Sequence, residues 1–301
     1  MANPIVEDIK AKIRSGNPVT RLIIINVAVF LVISILRILL LLSGNSLSLT
    51  ALFDAIMNNV SFPVDPAMLI FKPWTIISYM FVHEAPFHLL WNMVSLYWFG
   101  QILSDYTSQK KIIPLYILGG IAGALLTILI VYVPAFHQYI NASVIGASGS
   151  ITAIIIAAAT LIPNYRLNLL FVGPVKLVYI ALFVVFIDIL SLASYDNVGG
   201  NLAHLGGALM GYIYIVQYKK GRDLGAWIAR FLSWAGGLFK SGPKSKMNVA
   251  YKRAVSDDEY NYSKKVTQEQ IDRILDKISK SGYESLTKTE KDILFKASNK
   301  K

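Results

Sequence analysis

Residues 22–43 have the sequence LIIINVAVFLVISILRILLLLS, in which Arg37 is the only charged residue. A helix needs about 20 largely apolar residues to cross a bilayer, so this run predicts a transmembrane helix. It is longer than the apolar core of a secretory signal, about 7–15 residues, so we expect the protein to retain it. Hydrophobic residues make up 54% of the 301-residue chain, and the mean hydropathy is +0.51. The composition therefore predicts an integral membrane protein.

Five further segments are apolar enough to suggest spans: Phe87–Ser104, Ile112–Val133, Ser148–Ile162, Val175–Ser194 and Gly200–Tyr218. The predicted fold class is an all-α polytopic membrane protein with six transmembrane helices. The fourth span ends at Pro163 and is about 15 residues long, or ~22 Å, against a hydrocarbon core of ~30 Å. Its polar start would then lie below the outer surface, where backbone is tolerated only inside protein or beside water. We therefore expect a short central fourth helix under a cavity that opens outward.

The basic residues predict the orientation of the spans. Nearly all of the basic residues that flank spans lie in segments on one side of the membrane: Lys10, Lys12, Arg14, Arg21, Lys110, Lys111, Arg166, Lys176, Lys219, Lys220 and Arg222. Lys72 alone lies on the other side. Basic residues favour the cytoplasmic side, so both termini are predicted to be cytoplasmic. The net charge of +11 arises largely after Tyr218, where 19 Lys and Arg face 10 Asp and Glu, and we expect a lipid bilayer rather than nucleic acid as the partner.

Composition changes divide the chain into five parts: a cytoplasmic N-terminal segment 1–21, a six-span domain 22–218, an interfacial amphipathic helix 219–240, a linker 241–265 and a small helical segment 266–301. Thr287 with Glu290 has the spacing of a capping box. The last segment is predicted to form a helical hairpin whose partner is unknown. The absence of cysteine excludes disulfides and thiol catalysis.

Polar residues far apart in sequence share one membrane depth. His88 and Asn92 begin the second span, Ser148 begins the fourth and His204 lies near the start of the sixth. Small residues at four-residue spacing allow close helix packing on the fourth span (Gly149, Ala153, Ala157) and on the sixth (Ala203, Gly207, Gly211). Serine needs a neighbouring base to become a nucleophile, and histidine titrates in the right range. We predict Ser148 as nucleophile, His204 as base, and His88, Asn92 and the Ser148 amide as oxyanion donors.

Three motifs resemble those of the rhomboid family. His83, His88 and Asn92 match HxxxxHxxxN, Gly146-Ala147-Ser148-Gly149 matches GxSG, and Gly199, Ala203, His204 and Gly207 match GxxxAHxxG. The resemblance covers about residues 21–218. It implies a bacterial-type intramembrane serine protease with a Ser–His dyad, no metal or cofactor, and transmembrane proteins as substrates. It also implies a multi-pass protein of the bacterial inner membrane, with its active site opening outward.

The chain departs from the family pattern at two places. Thr152 occupies a position where relatives often have an aromatic residue that supports the catalytic histidine. The Trp-Arg pair of the first outer loop is absent, and Lys72, Pro73 and Trp74 are the nearest residues. The orientation of the histidine and the anchoring of the loop therefore need other contacts.

Other interpretations remain open. A catalytically inactive relative that binds transmembrane clients should lack the serine or the histidine, and both are present. A transporter should show paired broken helices or an internal repeat, and the sequence shows neither. His83 is predicted to brace the outer loop, and Asp188 to make a structural hydrogen bond rather than to complete a triad. Arg37 could pair with Asp188 or extend outward.

Overall fold

The computed structural model describes residues 16–44, 46–169, 172–195, 197–238 and 257–298. The chain divides into two compact units, with the boundary between Lys240 and Ser241. Most of the predicted N-terminal segment 1–21 and most of the predicted linker 241–265 lie outside the described residues.

The described part of the first unit is built mainly of helices. In chain order they are α1 (Pro18–Leu42), α2 (Leu47–Val60), α3 (Pro66–Phe71), α4 (Thr75–Ser78), α5 (Pro86–Tyr106), α6 (Ile112–Val131), α7 (Ser148–Leu161), α8 (Leu177–Ala193), α9 (Val198–Lys219) and α10 (Ala226–Leu238). Helices α1 and α5 to α9 fall on the six predicted spans. The start of α1 is set by Asn17, whose side-chain oxygen accepts hydrogen bonds from the amides of Val19 and Thr20, with Pro18 as the first helical residue.

Two of the described helical segments are both long and apolar enough to cross a membrane, Pro18–Leu42 and Gln109–Val131. Helices α7 and α8 are apolar but shorter. Helices α5 and α9 have 21 and 22 residues, but they carry more polar side chains, including the predicted site residues. Length and composition thus support two spans directly.

The prediction of an all-α fold is wrong in detail, because the described residues also contain two short antiparallel strand pairs. Strand β1 (Phe62–Pro63) pairs with β2 (Ser143–Val144), and β3 (Arg166–Leu169) pairs with β4 (Gly173–Lys176). Strand β4 includes Val175, which was predicted to begin the fifth span; the helix begins at Leu177. Gly173 has a positive φ of 88°, which suits the turn of a hairpin.

Helix α7 lies at the centre of the first unit, as predicted, and packs against α5, α6, α8 and α9. The face of α7 that carries small residues packs against the corresponding face of α9, as predicted. A Cβ added at Gly207 would lie 2.0 Å from the Gly149 carbonyl oxygen, and one at Gly211 would lie 2.2 Å from that of Ala153. A step of four residues along α9, from Gly207 to Gly211, moves the contact four residues along α7, from Gly149 to Ala153. The two helices therefore run parallel, and their beginnings lie side by side.

Helix α6 also packs closely against α7 and α9, through glycines for which no contact was predicted. A Cβ at Gly119 would lie 2.4 Å from that of Ala153, and one at Gly123 would lie 2.6 Å from the Ala203 carbonyl oxygen. Any side chain at these positions would separate the helices. Three small-residue faces therefore bring α6, α7 and α9 together.

Helix α10 follows a turn after α9 and falls within the predicted interfacial segment 219–240. Trp227, Phe231 and Trp234 are all more than half exposed, while Ile228 is buried. Asp223 connects this region to the start of α6, because its carboxylate pairs with the Lys111 ammonium and accepts a hydrogen bond from the Gly225 amide at 3.0 Å.

The second unit contains α11 (Asp257–Ser281) and α12 (Lys288–Ser298). Helix α11 begins inside the predicted linker 241–265. The predicted capping box is confirmed, since the Thr287 amide donates to Glu290 at 2.7 Å and the Glu290 amide to the Thr287 hydroxyl at 3.4 Å. Lys277 on α11 also bonds Glu290, at 2.9 Å.

Candidate active site

Ser148 is the first residue of α7, and a fixed turn precedes it. Gly146 has a φ of 121°, which side chains rarely adopt, and its amide donates to the Tyr79 carbonyl at 2.9 Å. Strand β2 holds the chain just before this turn through its pairing with β1. Ser148 is half-buried, whereas its helix continues into fully buried residues. The hydroxyl is thus placed at the accessible end of the central helix.

The residues next to Ser148 and His204 in sequence are in contact. A Cβ added at Gly149 would lie 2.9 Å from the carbonyl oxygen of Ala203. Ser148 precedes the first of these residues and His204 follows the second. Since α7 and α9 run parallel, both side chains lie at the same depth, and both are half-buried.

The imidazole of His204 is held by a carboxylate. Its Nδ1 lies 2.7 Å from Oδ1 of Asp188 on α8, whose side chain is 8% exposed. A carboxylate can only accept, so Nδ1 carries the hydrogen, and in the neutral form of the ring Nε2 has the lone pair. The second oxygen of Asp188, Oδ2, is buried and has no hydrogen-bond partner among the described residues. Arg37, the other suggested partner of Asp188, is exposed.

His88 faces the same small volume as the Ser148 hydroxyl. The position of a Cβ added at Gly146 would lie 3.3 Å from Nε2 of His88 and 3.7 Å from Oγ of Ser148. The nearest atom to that position would be Cε1 of His88, at 3.0 Å, so the absence of a side chain at Gly146 lets the imidazole approach the turn closely. A substitution there would press against the His88 ring, close to the Ser148 hydroxyl.

His83 organises the residues around this space. Its fully buried Nε2 accepts hydrogen bonds from the Asn92 side chain at 2.9 Å and from the Ala147 amide at 3.5 Å. Its ring also packs edge-on against His88, with 5.1 Å between centroids. Burial, and then the nearby His88, lower the pKa of His83 to about 4, so the ring is neutral at physiological pH. A neutral ring is the form that accepts both hydrogen bonds.

Thr152 does not take over the role of the missing aromatic residue through its hydroxyl. The hydroxyl donates to the Ser148 carbonyl at 2.9 Å, within its own helix, and the residue is 4% exposed. The contact that orients His204 is instead the one to Asp188. The sequence contained a signal for it, because an ionisable residue within an apolar segment usually has a partner.

Other side chains anchor the outer loop where the Trp-Arg pair is absent. The Lys72 ammonium donates to the Asn58 carbonyl at 3.1 Å, and the Trp74 indole donates to the Asn59 carbonyl at 2.8 Å.

Gly199 lies against β2, since a Cβ there would be 2.8 Å from Cγ2 of Val144. His137 belongs to a separate turn and packs against Tyr132.

Residues 71–220 match the Rhomboid domain family, and residues 256–300 match a family of unknown function (DUF6576). The chain is 29% identical over 165 residues to RHOMBOID-like protein 12, mitochondrial, of Arabidopsis thaliana, a match that covers 49% of this chain and 47% of that protein. It is 30% identical over 148 residues to Rhomboid protein 1, mitochondrial, of Saccharomyces cerevisiae, covering 46% of this chain and 40% of that one. The chain thus matches less than half the length of either relative.

Proposed function

Because the chain belongs to the rhomboid family, we propose that it is an intramembrane serine endopeptidase that cleaves transmembrane proteins near the outer leaflet. Ser148 is the nucleophile and His204 the general base. The observation that carries the proposal is the hydrogen bond of 2.7 Å from Nδ1 of His204 to Asp188. It leaves the lone pair of Nε2 available at the level of the Ser148 hydroxyl.

The reaction uses these groups in sequence. Nε2 of His204 removes the hydroxyl proton as Oγ of Ser148 attacks the peptide carbonyl carbon. The resulting oxyanion accepts hydrogen bonds from His88, Asn92 and the Ser148 amide. His204 then gives its proton to the leaving amine as the peptide bond breaks. A water molecule repeats the attack on the acyl group, with His204 again as base, and restores the free hydroxyl.

We also propose that α1 and α5 to α9 all cross the bilayer. Large apolar side chains cover the outside of the bundle: Leu31 and Val32 on α1 and Leu182, Phe183 and Phe186 on α8 are each more than half exposed. Exposed apolar surface of this extent suits contact with lipid. Helix α7 has 14 residues, or about 21 Å, and is almost entirely buried, so a short length is compatible with a central position.

The location of the protein rests on its relatives. Both carry mitochondrial names, which favour a mitochondrial membrane over the bacterial inner membrane implied by the motifs. The orientation remains a prediction based on the basic residues: both termini lie on the side of the membrane that carries most of them, and the site opens to the other side. Accessibility labelling of single cysteines introduced into this cysteine-free chain would determine the orientation.

The second candidate function is an inactive, client-binding relative, and one experiment separates it from a protease. Purified protein is incubated in proteoliposomes with a model transmembrane substrate. Ser148→Ala and His204→Ala should each abolish cleavage while the protein stays folded and inserted. His88→Ala or Asn92→Ala should lower turnover by roughly 10–10³, with little change in apparent affinity. Cleavage by Ser148→Ala at the wild-type rate would rule out the assignment, and absence of cleavage by wild type over a panel of substrates would favour client binding.

A further inference from the structure

A cavity of about 550 Å³ lies between the start of α1, the turn before α6 and helix α10. Apolar walls come from residues such as Pro18, Ile113 and Leu232. Three basic side chains, Arg21, Lys110 and Arg230, also line it. The volume is in the range of pockets that hold small organic molecules. This cavity is far from Ser148, because it lies at the opposite end of the helical bundle.

Among the described residues, no carboxylate neutralises the positive charge of this cavity. Its lining contains no Asp or Glu, and in the part of the chain that the structure describes none of the three basic groups forms an ion pair. The nearby carboxylate of Asp223 is bound by Lys111, which does not line the cavity. Three basic side chains in one lining that has no carboxylate favour an anionic ligand.

The surroundings of the cavity match a membrane boundary. Arg21 stands in the first turn of the apolar helix α1. Helix α10, which supplies Arg230, exposes Trp227, Phe231 and Trp234. Tryptophan and basic residues concentrate where the hydrocarbon core meets the headgroups, and basic pockets at this depth suit anionic lipids.

We propose that this cavity binds the phosphate group of an anionic membrane phospholipid. Arg21, Lys110 and Arg230 contact the phosphate, and the apolar walls cover the first part of the acyl chains. A bound lipid would join α10 to the starts of α1 and α6 at a position where these elements present like charges to one another. The proposal is independent of catalysis, since no group of the candidate active site lines the cavity.

The test compares lipid retention by full-length variants. Protein reconstituted with mixed phosphatidylglycerol and phosphatidylcholine is purified, and the co-purifying lipids are quantified by mass spectrometry. Wild type should retain phosphatidylglycerol in preference to phosphatidylcholine. The cavity variant carries Arg21→Gln, Lys110→Gln and Arg230→Gln. The control variant, Arg166→Gln, Lys176→Gln and Lys220→Gln, removes the same charge outside the cavity. The cavity variant should retain roughly tenfold less phosphatidylglycerol than the control variant.

Three outcomes would overturn the proposal. Equal losses in the two triple variants would indicate general attraction to the leaflet. Displacement of the lipid by inorganic phosphate at similar concentration would indicate a simple anion site. A photo-crosslinker replacing Leu232 that captures another segment of this chain instead of lipid would indicate an internal occupant. Cross-linking to phosphatidylglycerol, lost in the cavity variant and kept in the control, supports it.

Discussion

Among single residues, Asp188 determines most about how His204 can act. The carboxylate accepts a hydrogen bond from Nδ1 and holds the ring in place. In the proposed mechanism it would also stabilise the imidazolium formed when His204 takes the Ser148 proton. Asp188 is buried on α8, a different helix from the two that carry Ser148 and His204. We therefore assign it as a positioning residue that acts through His204.

Asp188→Asn should lower turnover by roughly 10²–10⁴, because the amide can donate to Nδ1 and so favour the wrong tautomer. Asp188→Glu should restore part of the rate if its longer side chain reaches Nδ1. The measurement is the cleavage rate of one substrate, with thermal stability recorded in parallel. Nitrogen NMR of labelled histidine should show that the Nδ1-protonated tautomer of wild type is lost in Asp188→Asn.

Thr152→Val is the control for Asp188→Asn, because the Thr152 hydroxyl bonds only within α7. Valine has nearly the same shape, so cleavage should stay close to the wild-type rate. A stable but inactive Thr152→Val protein, together with an active Asp188→Asn protein, would reverse the two roles and show that the hydroxyl orients the histidine.

At the scale of helices, the contact between α7 and α9 sets the distance between the proposed nucleophile, Ser148, and the proposed base, His204. Gly207→Ala should reduce both cleavage and stability, since its Cβ would lie 2.0 Å from the Gly149 carbonyl oxygen and must push the helices apart. Overpacking of this kind typically costs about 1–3 kcal/mol. Thermal unfolding in detergent and substrate cleavage measure the two effects.

Gly236→Ala provides the matched control for Gly207→Ala. It makes the same substitution in a helix, but a Cβ there would meet nothing within 4 Å. Stability should stay unchanged or rise slightly, because alanine is the better helix former. If both variants behave alike, close approach of α7 to α9 is not what the active site depends on.

The capping box of α12 should make the second unit sensitive to acid. Hydrogen bonds from the Thr287 amide, from Lys277 and from the Thr287 hydroxyl lower the pKa of Glu290 from 4.5 to about 2. A carboxyl with a depressed pKa stabilises the fold above its unfolded pKa, and this contribution is lost as pH falls from about 4.5 towards 2.

Hydrogen exchange of the α12 amides, corrected for the intrinsic rate at each pH, measures this loss. Protection should decrease over that interval in wild type and already be low at neutral pH in Glu290→Gln. Glu269→Gln is the control, since its carboxylate is more than half exposed and lies 4.0 Å from Arg273. An unchanged acid response in Glu290→Gln would show that other groups cause it.

The helices and their small faces were predictable because both depend on local periodicity. Apolar runs placed a helix on each expected span, and glycine and alanine at four-residue spacing indicated where α7 meets α9. The contact of Asp188 with His204 was not predictable in the same way, because it joins two helices and the sequence offered Arg37 as another partner. The strand pairs were also missed, since two- to four-residue strands carry too short a pattern.

For the whole molecule, the two compact units predict that catalysis is separable from the C-terminal segment. Deletion of residues 241–301 should leave substrate cleavage at about the wild-type rate, since every group of the candidate site lies between His83 and His204. The comparison requires truncated and full-length protein in the same lipid, with insertion verified for each. An inserted, stable but inactive truncation would show that the second unit regulates the first.

The central claim is that Ser148 is an activated nucleophile, and labelling by a fluorophosphonate probe tests it most directly. This reaction requires neither a known substrate nor a known partner. Wild type should be labelled at Ser148, Asp188→Asn more slowly, and Ser148→Ala and His204→Ala not at all. Ser150→Ala is the control, because its hydroxyl is buried against Gly120 of α6 and should not react. Mass spectrometry of the labelled peptide should place the probe on Ser148. Labelling that persists in Ser148→Ala would contradict the account, and so would a folded wild-type protein that is not labelled.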